Sequence, residues 1–363
     1  MTTAVARATA THARPVGRGA IVLAGAGTLL VLAILGSLAI GPVVISPADV
    51  LRILVDGAAG ARPTTGTAMR DAIVVLDIRL PRTVLAVLVG STLAVAGAIL
   101  QGVFRNPLAD PGIVGVSTGA AFAAVCWIVF GYAAAAHLPT FVAAAGLPLS
   151  AFLGSLVTIV MLYRLATREG KTPVAMLLFA GIALGALAAA GTGLVIFVAS
   201  DQQLREFMFW TLGSVGGANW TKVALVLPFV LILLAGSVSL RRGLDALALG
   251  EAEAFHIGFD VQWLKRVAIV LVAAGVGAAV AVAGVVGFVG LVVPHLLRLS
   301  AGPMHGRLMI GCALLGGALM TASDIFARTI ASPAELPIGV VTAIIGAPYF
   351  LFLIHRNRAA LGG

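Results

Sequence analysis

Apolar stretches of about twenty residues recur along the chain, and this pattern most constrains the fold. A helix needs about 20 apolar residues to cross the roughly 30 Å hydrocarbon core of a bilayer. Of the 363 residues, 60% are hydrophobic and only 10% are charged, whereas charged residues make up about 25% of a soluble domain. The chain is therefore predicted to be an all-α integral membrane protein.

The hydropathy pattern predicts ten transmembrane helices within residues 20–355. A single helix over residues 264–298 would be about 50 Å long at 1.5 Å per residue, so a break is expected at Gly284 and Gly287. The spans are predicted near residues 20–41, 83–103, 112–131, 143–163, 174–199, 221–240, 264–283, 285–298, 307–328 and 338–355.

The distribution of basic residues favours one orientation in the membrane. With ten spans and both termini in the cytoplasm, 15 of the 23 Lys and Arg residues fall on the cytoplasmic side, as the positive-inside rule expects. This orientation predicts cytoplasmic tails at residues 1–19 and 356–363, a periplasmic segment at 42–82 and a cytoplasmic segment at 241–266. It also accounts for the net charge of +9 without a nucleic-acid partner.

Motifs that would indicate catalysis or ion coupling are absent from the sequence. There is no GxxxxGK[ST] loop for a nucleotide and no HExxH pair for zinc, and the six His and two Cys residues are scattered. The spans also lack the paired carboxylates of ion-driven pumps. We therefore expect no catalytic residues and no metal site, which disfavours both a membrane enzyme and an ion-coupled secondary transporter.

Two polar features are predicted at the outer side of the membrane. The sequence RLPRT at residues 79–83 places Arg79 and Arg82 at the end of a span, where long basic side chains commonly reach the interface. Asp324 and Arg328 have the i, i+4 spacing of a helical ion pair. From the residues alone, both features have a structural explanation.

Two further polar stretches are predicted on the cytoplasmic side. FRNPLADPGIVGVSTGAA at residues 104–121 contains prolines and glycines that indicate a turn and an interrupted helix entry. The segment 241–266 is too polar to span a bilayer, and Gly250 and Gly258 are expected to divide it into two short helices. It fits equally an amphipathic loop at the interface and a docking element for a cytoplasmic partner.

Taken together, these stretches resemble the permease family of ATP-driven importers for iron–siderophores, haem and vitamin B12. The resemblance covers nearly the whole chain except residues 1–18 and 57–66. It implies ten transmembrane helices per subunit, a functional homodimer, and a location in the bacterial inner membrane. The matching residues are RLPRT at 79–83, NPLADPGIVGVSTGA at 106–120, GEAEAFHIG at 250–258, GFVGLVVPHLLR at 287–298 and ELPIGVVTAIIGAPYF at 335–350.

The resemblance also implies partners on both sides of the membrane. Two copies of a cytoplasmic ATPase subunit would bind below the homodimer, and a periplasmic substrate-binding protein would deliver cargo from above. ATP and Mg would bind the ATPase, so that this chain is expected to be a transport subunit without enzymatic activity or a cofactor of its own. Arg79, Arg82 and Arg328 match arginines that face acidic residues of the binding protein, which implies an exposed docking trio.

Roles at the cytoplasmic side follow from the same resemblance. Residues 245–260 match the coupling helices that sit in clefts of the ATPase, and the cytoplasmic gate matches residues 170–174, with Thr172 as the gate residue. The contacts with the ATPase are expected at Gly250, Glu251, Glu253 and Ala254.

The cargo is expected to be an intact iron chelate that moves by alternating access. FRNPLADPG at residues 104–112 is most similar to haem permeases, whereas vitamin B12 permeases tend to have an acidic residue in place of Arg105. Haem is therefore the expected cargo, with a ferric siderophore or vitamin B12 as the alternative. The transport path is expected to carry few specific ligands, because a tight site would slow release.

Overall fold

The computed structural model describes residues 16–131, 135, 139–167 and 172–356. Within these ranges the regular secondary structure is entirely helical. Most of the predicted N-terminal tail (residues 1–19) and residues 357–363 of the predicted C-terminal tail lie outside the described part of the chain.

Helices follow one another with short connections throughout the described residues. Helical turns of other types occur at Val74–Arg79, Pro111–Val114 and Trp127–Gly131. The α-helices are α1 (Val16–Ala39), α2 (Pro47–Ala58), α3 (Gly66–Ile73), α4 (Leu80–Val103), α5 (Val116–Cys126), α6 (Thr140–Ala166), α7 (Val174–Phe197), α8 (Asp201–Thr211), α9 (Trp220–Leu247), α10 (Glu251–His256), α11 (Val261–Ala283), α12 (Val289–Ala301), α13 (His305–Thr329) and α14 (Ile338–Arg356).

Seven helices are long and apolar enough to cross a membrane, and three shorter apolar helices accompany them among the described residues. The long ones are α1, the unbroken helical stretch Gly66–Val103, α6, α7, α9, α11 and α13. The short ones are Val116–Gly131, Val289–Ala301 and Ile338–Phe352. Each predicted span overlaps one of these helices, which confirms the all-α membrane fold, while the number of crossings stays a prediction.

Helix α4 contains Pro81 in its first turn, yet the helical backbone begins well before the predicted start of this span near residue 83. The backbone is helical from Gly66 to Val103, and a π-helical turn at Val74–Arg79 joins α3 to α4. The amide of Leu80 donates to the carbonyl of Val75, one residue farther back than in an α-helix. Proline lacks an amide donor, and the wider turn before it lets the helix continue with its hydrogen-bond register shifted.

The predicted break near Gly284 is confirmed. Helix α11 ends at Ala283, and Gly284 has a φ of 70°, a left-handed value that glycine adopts without a steric penalty. Helix α12 begins only at Val289, after Phe288 with a φ of 67°. The amide of Ser214 donates to the carbonyl of Ala283 over 2.8 Å, so a carbonyl at the buried end of α11 finds a backbone partner.

Helix α4 forms the centre of the bundle. In its most apolar window 83% of the residues are buried, against 17% in α7. A Cβ atom at Gly97 would lie 2.0 Å from the carbonyl oxygen of Gly290, and one at Gly90 would lie 2.2 Å from that of Gly316. Small residues allow such close backbone approach between membrane helices, so α12 and α13 pack directly on α4.

The bundle has two polar ends, named here by their short helices. The α2 end contains α2, α3, the start of α4 and the end of α13. An ion pair between Arg82 on α4 and Asp324 on α13 joins the last two. The α10 end contains α10, the end of α9 and the start of α13. Asp245 Oδ1 on α9 lies 2.7 Å from His305 Nδ1 on α13 and joins these two helices. The predicted docking residues lie at the first end and the predicted coupling residues at the second.

Candidate functional site

A buried cluster of charged side chains lies at the α2 end. The guanidinium group of Arg82 on α4 donates to both carboxylate oxygens of Asp324 on α13, over 2.9 to 3.1 Å. The same group donates to both oxygens of Glu335, over 2.8 and 3.0 Å. Such forked pairing fixes geometry as well as charge, so Arg82 ties α4 to α13 and to the turn before α14.

Arg328 joins a third helix to this cluster. Its Nη2 donates to the carbonyl oxygen of Ser37 on α1 over 2.5 Å and to the hydroxyl of the same residue over 3.0 Å. Its Nε lies 3.8 Å from Asp324. The predicted helical ion pair between Asp324 and Arg328 is therefore present, but Asp324 makes its shorter bonds with Arg82.

Arg79 closes the end of α1. Its guanidinium group donates to the carbonyl oxygens of Leu38 over 2.7 Å and Ala39 over 3.0 Å, and it also bonds the carbonyl of Val43. The last four carbonyl groups of a helix have no partner within the helix, and a basic side chain is favoured there. Arg79 therefore acts as a cap for α1 supplied by another helix.

The expectation of an exposed arginine trio is wrong for this conformation. Arg79, Arg82 and Arg328 are exposed by only 3%, 7% and 4%, because carboxylates and helix-end carbonyls within the subunit already occupy their donors. The structure brings the three residues together at one end, as expected. Their contact with a binding protein stays a prediction.

Glu335 is the accessible member of the cluster, with 44% of its side chain exposed. The hydrogen bond from Arg82 is the main cause that holds the pKa of this carboxyl below its ordinary value, although partial burial acts in the opposite direction. Glu335 thus remains charged at neutral pH and presents an anionic edge to the surface.

At the α10 end, glycines bound the short helix that carries the predicted coupling residues. Gly250 has a φ of 137° and Gly258 a φ of 96°, and both values favour glycine. The prediction of two short helices in residues 241–266 is wrong, because α9 continues to Leu247 and α11 begins at Val261. One short helix, α10, fills the interval and turns sharply at each end.

Helix α10 presents an apolar surface outward. Ala254 is fully buried against the bundle, while Leu249 and Phe255 are each 70% exposed. Glu253 is exposed beside them. Exposed large apolar side chains at a polar end of a membrane protein are typical of a surface that another protein covers.

Glu251 makes an ion pair inside the subunit. Its Oε1 lies 2.7 Å from the Nζ of Lys265 on α11, and 42% of the Glu251 side chain is exposed while 1% of the Lys265 side chain is. Lys265 lies in the predicted cytoplasmic segment 241–266, and its burial was not predicted from the sequence. Its position in the first turns of a helix whose neighbours are apolar was the available signal that it would be buried.

Thr172, the predicted gate residue, contacts the same region. Its amide donates to Gln262 over 3.0 Å, and its carbonyl accepts from Lys265 over 3.3 Å. Its hydroxyl lies 3.0 Å from that of Thr167. Residues 170 and 171 of the predicted gate lie outside the described residues, while Thr172 itself is buried.

A cavity of about 930 Å³ opens between α5, α6 and α7. Its walls are apolar and include Phe122, Leu153 and Leu187, with the hydroxyls of Ser150 and Thr158 among the few polar groups. Across the described residues no three His, Cys, Asp or Glu side chains lie close enough together to hold a metal ion. None of the described residues that line this cavity is charged.

A bundle of long apolar helices with a buried charge cluster at one end and a short exposed helix at the other is the architecture of a polytopic membrane protein. Residues 29–356 match the FecCD transport family, and the chain belongs to this family. The resemblance drawn from the sequence is thereby confirmed.

Individual relatives agree with this assignment. The chain is 43% identical over 304 residues to the hemin transport system permease protein HmuU of Yersinia pestis, covering 83% of this chain and 90% of the relative. It is also 43% identical over 286 residues to the cobalamin import system permease protein BtuC of Halobacterium salinarum, covering 79% of this chain and 74% of the relative.

A solved structure shows the same architecture. It is an inward-facing transporter assigned provisionally to the metal-chelate type of ABC transporters, with a TM-score of 0.79 and 31% sequence identity, covering 93% of this chain and 99% of the other. The protein is therefore the membrane permease subunit of an ABC importer, a subunit that is not itself the ATPase.

Proposed function

We propose that two copies of this chain form the path through which an intact iron chelate, haem, passes from a periplasmic binding protein to the cytoplasm. The observation that carries this proposal is α10, a short helix between glycine turns that exposes Phe255 at one end of the bundle, with Leu249 exposed just before it. A rigid, apolar projection of this kind suits a cleft in a cytoplasmic ATPase. The α10 end is then cytoplasmic, as are both termini.

Haem is the proposed cargo because FRNPLADPG at residues 104–112 is most similar to haem permeases and because one relative is named a hemin permease. Vitamin B12 is the second candidate, since the cobalamin relative has the same 43% identity. A ferric siderophore remains the third. The binding protein would supply most of the cargo selectivity, because a tight site along the path would slow release.

The α2 end is the proposed docking face for the binding protein. Arg79, Arg82 and Arg328 gather there, and Glu335 now shields Arg82 from the surface. A carboxylate on the binding protein could replace Glu335 as a ligand of Arg82 without leaving a buried charge unpaired. Docking through these arginines therefore involves exchange of one carboxylate for another.

Transport would proceed by alternating access. Closure of the ATPase pair on ATP moves α10 through Gly250, Glu251, Glu253 and Ala254, and the motion reaches the gate at Thr172. Cargo released by the binding protein enters between the two subunits, and ATP hydrolysis resets them. No step needs a catalytic group or a metal on this chain.

Reconstitution tests the proposal directly. The chain, its ATPase subunit and its binding protein are placed in proteoliposomes, and uptake of haemin, cobalamin and a ferric siderophore is measured with and without ATP. We expect vanadate-sensitive haemin uptake that requires both partners. Uptake driven by an ion gradient without ATP would refute the importer class, and exclusive cobalamin uptake would replace the proposed cargo.

A further inference from the structure

The ammonium group of Lys265 lies inside the protein at the α10 end. Its side chain is 1% exposed and is one of the largest fully buried side chains. Removing a lysine from water is costly unless a carboxylate and hydrogen-bond acceptors surround the charge. The partners of this group therefore hold it in place, and it holds them.

The ammonium group and its two partners connect three elements, namely α11, α10 and the segment before α7. Lys265 Nζ donates to Glu251 at the start of α10 over 2.7 Å and to the carbonyl of Thr172 before α7 over 3.3 Å. One turn earlier on α11, Gln262 accepts from the amide of Thr172 over 3.0 Å. The start of α11 thus binds the amide and the carbonyl of Thr172. Through Lys265 it also binds Glu251 of α10.

The ends of α10 limit how this contact can change. Gly250 and Gly258 bound the helix with φ values of 137° and 96°, so the chain turns sharply on each side of this short helix. A movement that pulled Glu251 away would leave the buried Lys265 without its carboxylate. The ion pair therefore resists separation, and Lys265 follows Glu251 when α10 moves.

We infer that Lys265 is the positioning residue through which α10 controls the Thr172 segment at the entrance of α7. This inference rests on the proposed function, since it assigns α10 to the ATPase and Thr172 to the gate. Lys265 acts through Thr172 and touches neither ATP nor cargo. Gln262 adds a second contact between α11 and Thr172, because its side chain accepts a hydrogen bond from the Thr172 amide.

Charge removal tests the contact itself. Lys265→Met leaves Glu251 partly exposed, where water can solvate it, whereas Glu251→Gln leaves a buried ammonium without a carboxylate. Breaking a buried pair from one side is more costly than removing both charges. We therefore expect Glu251→Gln to lower the unfolding temperature more than the double variant Glu251→Gln/Lys265→Met, and the reverse order would contradict the inference.

Hydrogen–deuterium exchange then follows the Thr172 segment in the full-length protein. Loss of a hydrogen bond to a charged donor should raise amide exchange in residues 172–178 about tenfold in Lys265→Met. Lys222→Met, the same substitution at the start of α9 on the opposite end, is the matched control. Unchanged exchange in Lys265→Met would overturn the inference.

Transport stoichiometry gives the second measurement. In proteoliposomes with the ATPase and the binding protein, Lys265→Met should keep the ATPase bound but lower the cargo moved per ATP hydrolysed about fivefold or more. A ratio equal to that of the unsubstituted protein would also overturn the inference. If the unsubstituted protein shows no ATP-driven uptake, the proposed function fails, and the exchange experiment alone still decides the role of Lys265 in holding Thr172.

Discussion

Two buried cations organise opposite ends of the bundle by the same chemistry. Arg82 bonds two carboxylates at the α2 end, and Lys265 bonds Glu251 and a backbone carbonyl at the α10 end. In each cluster one carboxylate keeps contact with the surface, namely Glu335 or Glu251. A partner protein that binds at either end therefore contacts a carboxylate that is already paired with a buried cation of the permease.

The acid dependence of stability should report on Glu335. Its folded-state pKa lies below the ordinary value because Arg82 donates to it, so its stabilising contribution is present above about pH 4.3 and is lost as the pH falls through the folded pKa. We expect Glu335→Gln to reduce the loss of thermal stability between pH 7 and the acid range. Unfolding temperatures in detergent across this range provide the measurement.

The control for that experiment is Asp56→Asn, because Asp56 is an exposed carboxylate on α2. Both substitutions remove one acidic charge at the α2 end. An acid slope that changes equally in the two variants would show that the Arg82–Glu335 contact has no special effect.

A single methyl group tests the close packing of α4. A Cβ atom at Gly97 would lie 2.0 Å from the backbone oxygen of Gly290, so Gly97→Ala must push α12 away from α4. Overpacking of this kind costs about 1 to 3 kcal/mol. We expect a lower unfolding temperature for Gly97→Ala, whereas Gly25→Ala on α1, which would meet nothing within 4 Å, should not destabilise the protein.

At the scale of elements, α10 differs from its neighbours in what covers it. Ala254 packs into the bundle, but the outward side chains at residues 249 and 255 contact no comparable apolar surface and remain 70% exposed. The long helices can bury their outward faces in lipid. A helix at the polar end cannot, and the proposed ATPase cleft supplies the missing contact.

Substitution of these outward side chains should therefore separate assembly from folding. We expect the double variant Leu249→Ser/Phe255→Ser no longer to copurify with the ATPase subunit. Its free energy of unfolding should stay within about 0.5 kcal/mol of that of the parent protein. Val44→Ser, which also removes an exposed apolar side chain but at the α2 end, should keep the ATPase. Full retention of the ATPase by the double variant would contradict the role of α10.

For the whole molecule, burial is distributed unequally among the long helices. In the most apolar window of α4 83% of the residues are buried, whereas α1 and α7 reach only 17%. A subunit with two helices so weakly covered offers wide apolar surfaces to lipid or to a second copy. This distribution is compatible with the proposed homodimer.

The assembly state is directly measurable. We expect the protein in lipid nanodiscs to have twice the 36.7 kDa mass of one chain, after subtraction of lipid and scaffold. With the ATPase added, each pair of permeases should bind two ATPase copies. A strictly monomeric permease that still transports haem with its partners would refute the dimer.

Much of the fold was predictable because the length and the ends of a helix depend largely on residues that are close together in the sequence. Apolar length identified the helices, and Gly284 correctly marked the break between α11 and α12. The motifs also identified the family. The start of α4 and the helices of segment 241–266 were predicted less accurately, since a π-helical turn and the extension of α9 depend on neighbouring helices as well as on local propensity.

The α2 end of the bundle shows the limit most clearly. Arg79, Arg82 and Arg328 lie together at one end, as predicted, but their burial was not foreseen. Their partners Ser37, Leu38 and Glu335 are distant in sequence, and nothing in a local pattern indicates which acceptor a long flexible side chain will reach.

Sequence alone thus determined the class of protein, because bilayer thickness imposes the length of its apolar helices and the motifs retain their order. Only the tertiary structure decided which charges are exposed and which are paired inside. A buried arginine or lysine is stable only when acceptors from several elements converge on it. That convergence, at Arg82 on one side and Lys265 on the other, exists only after the helices have packed.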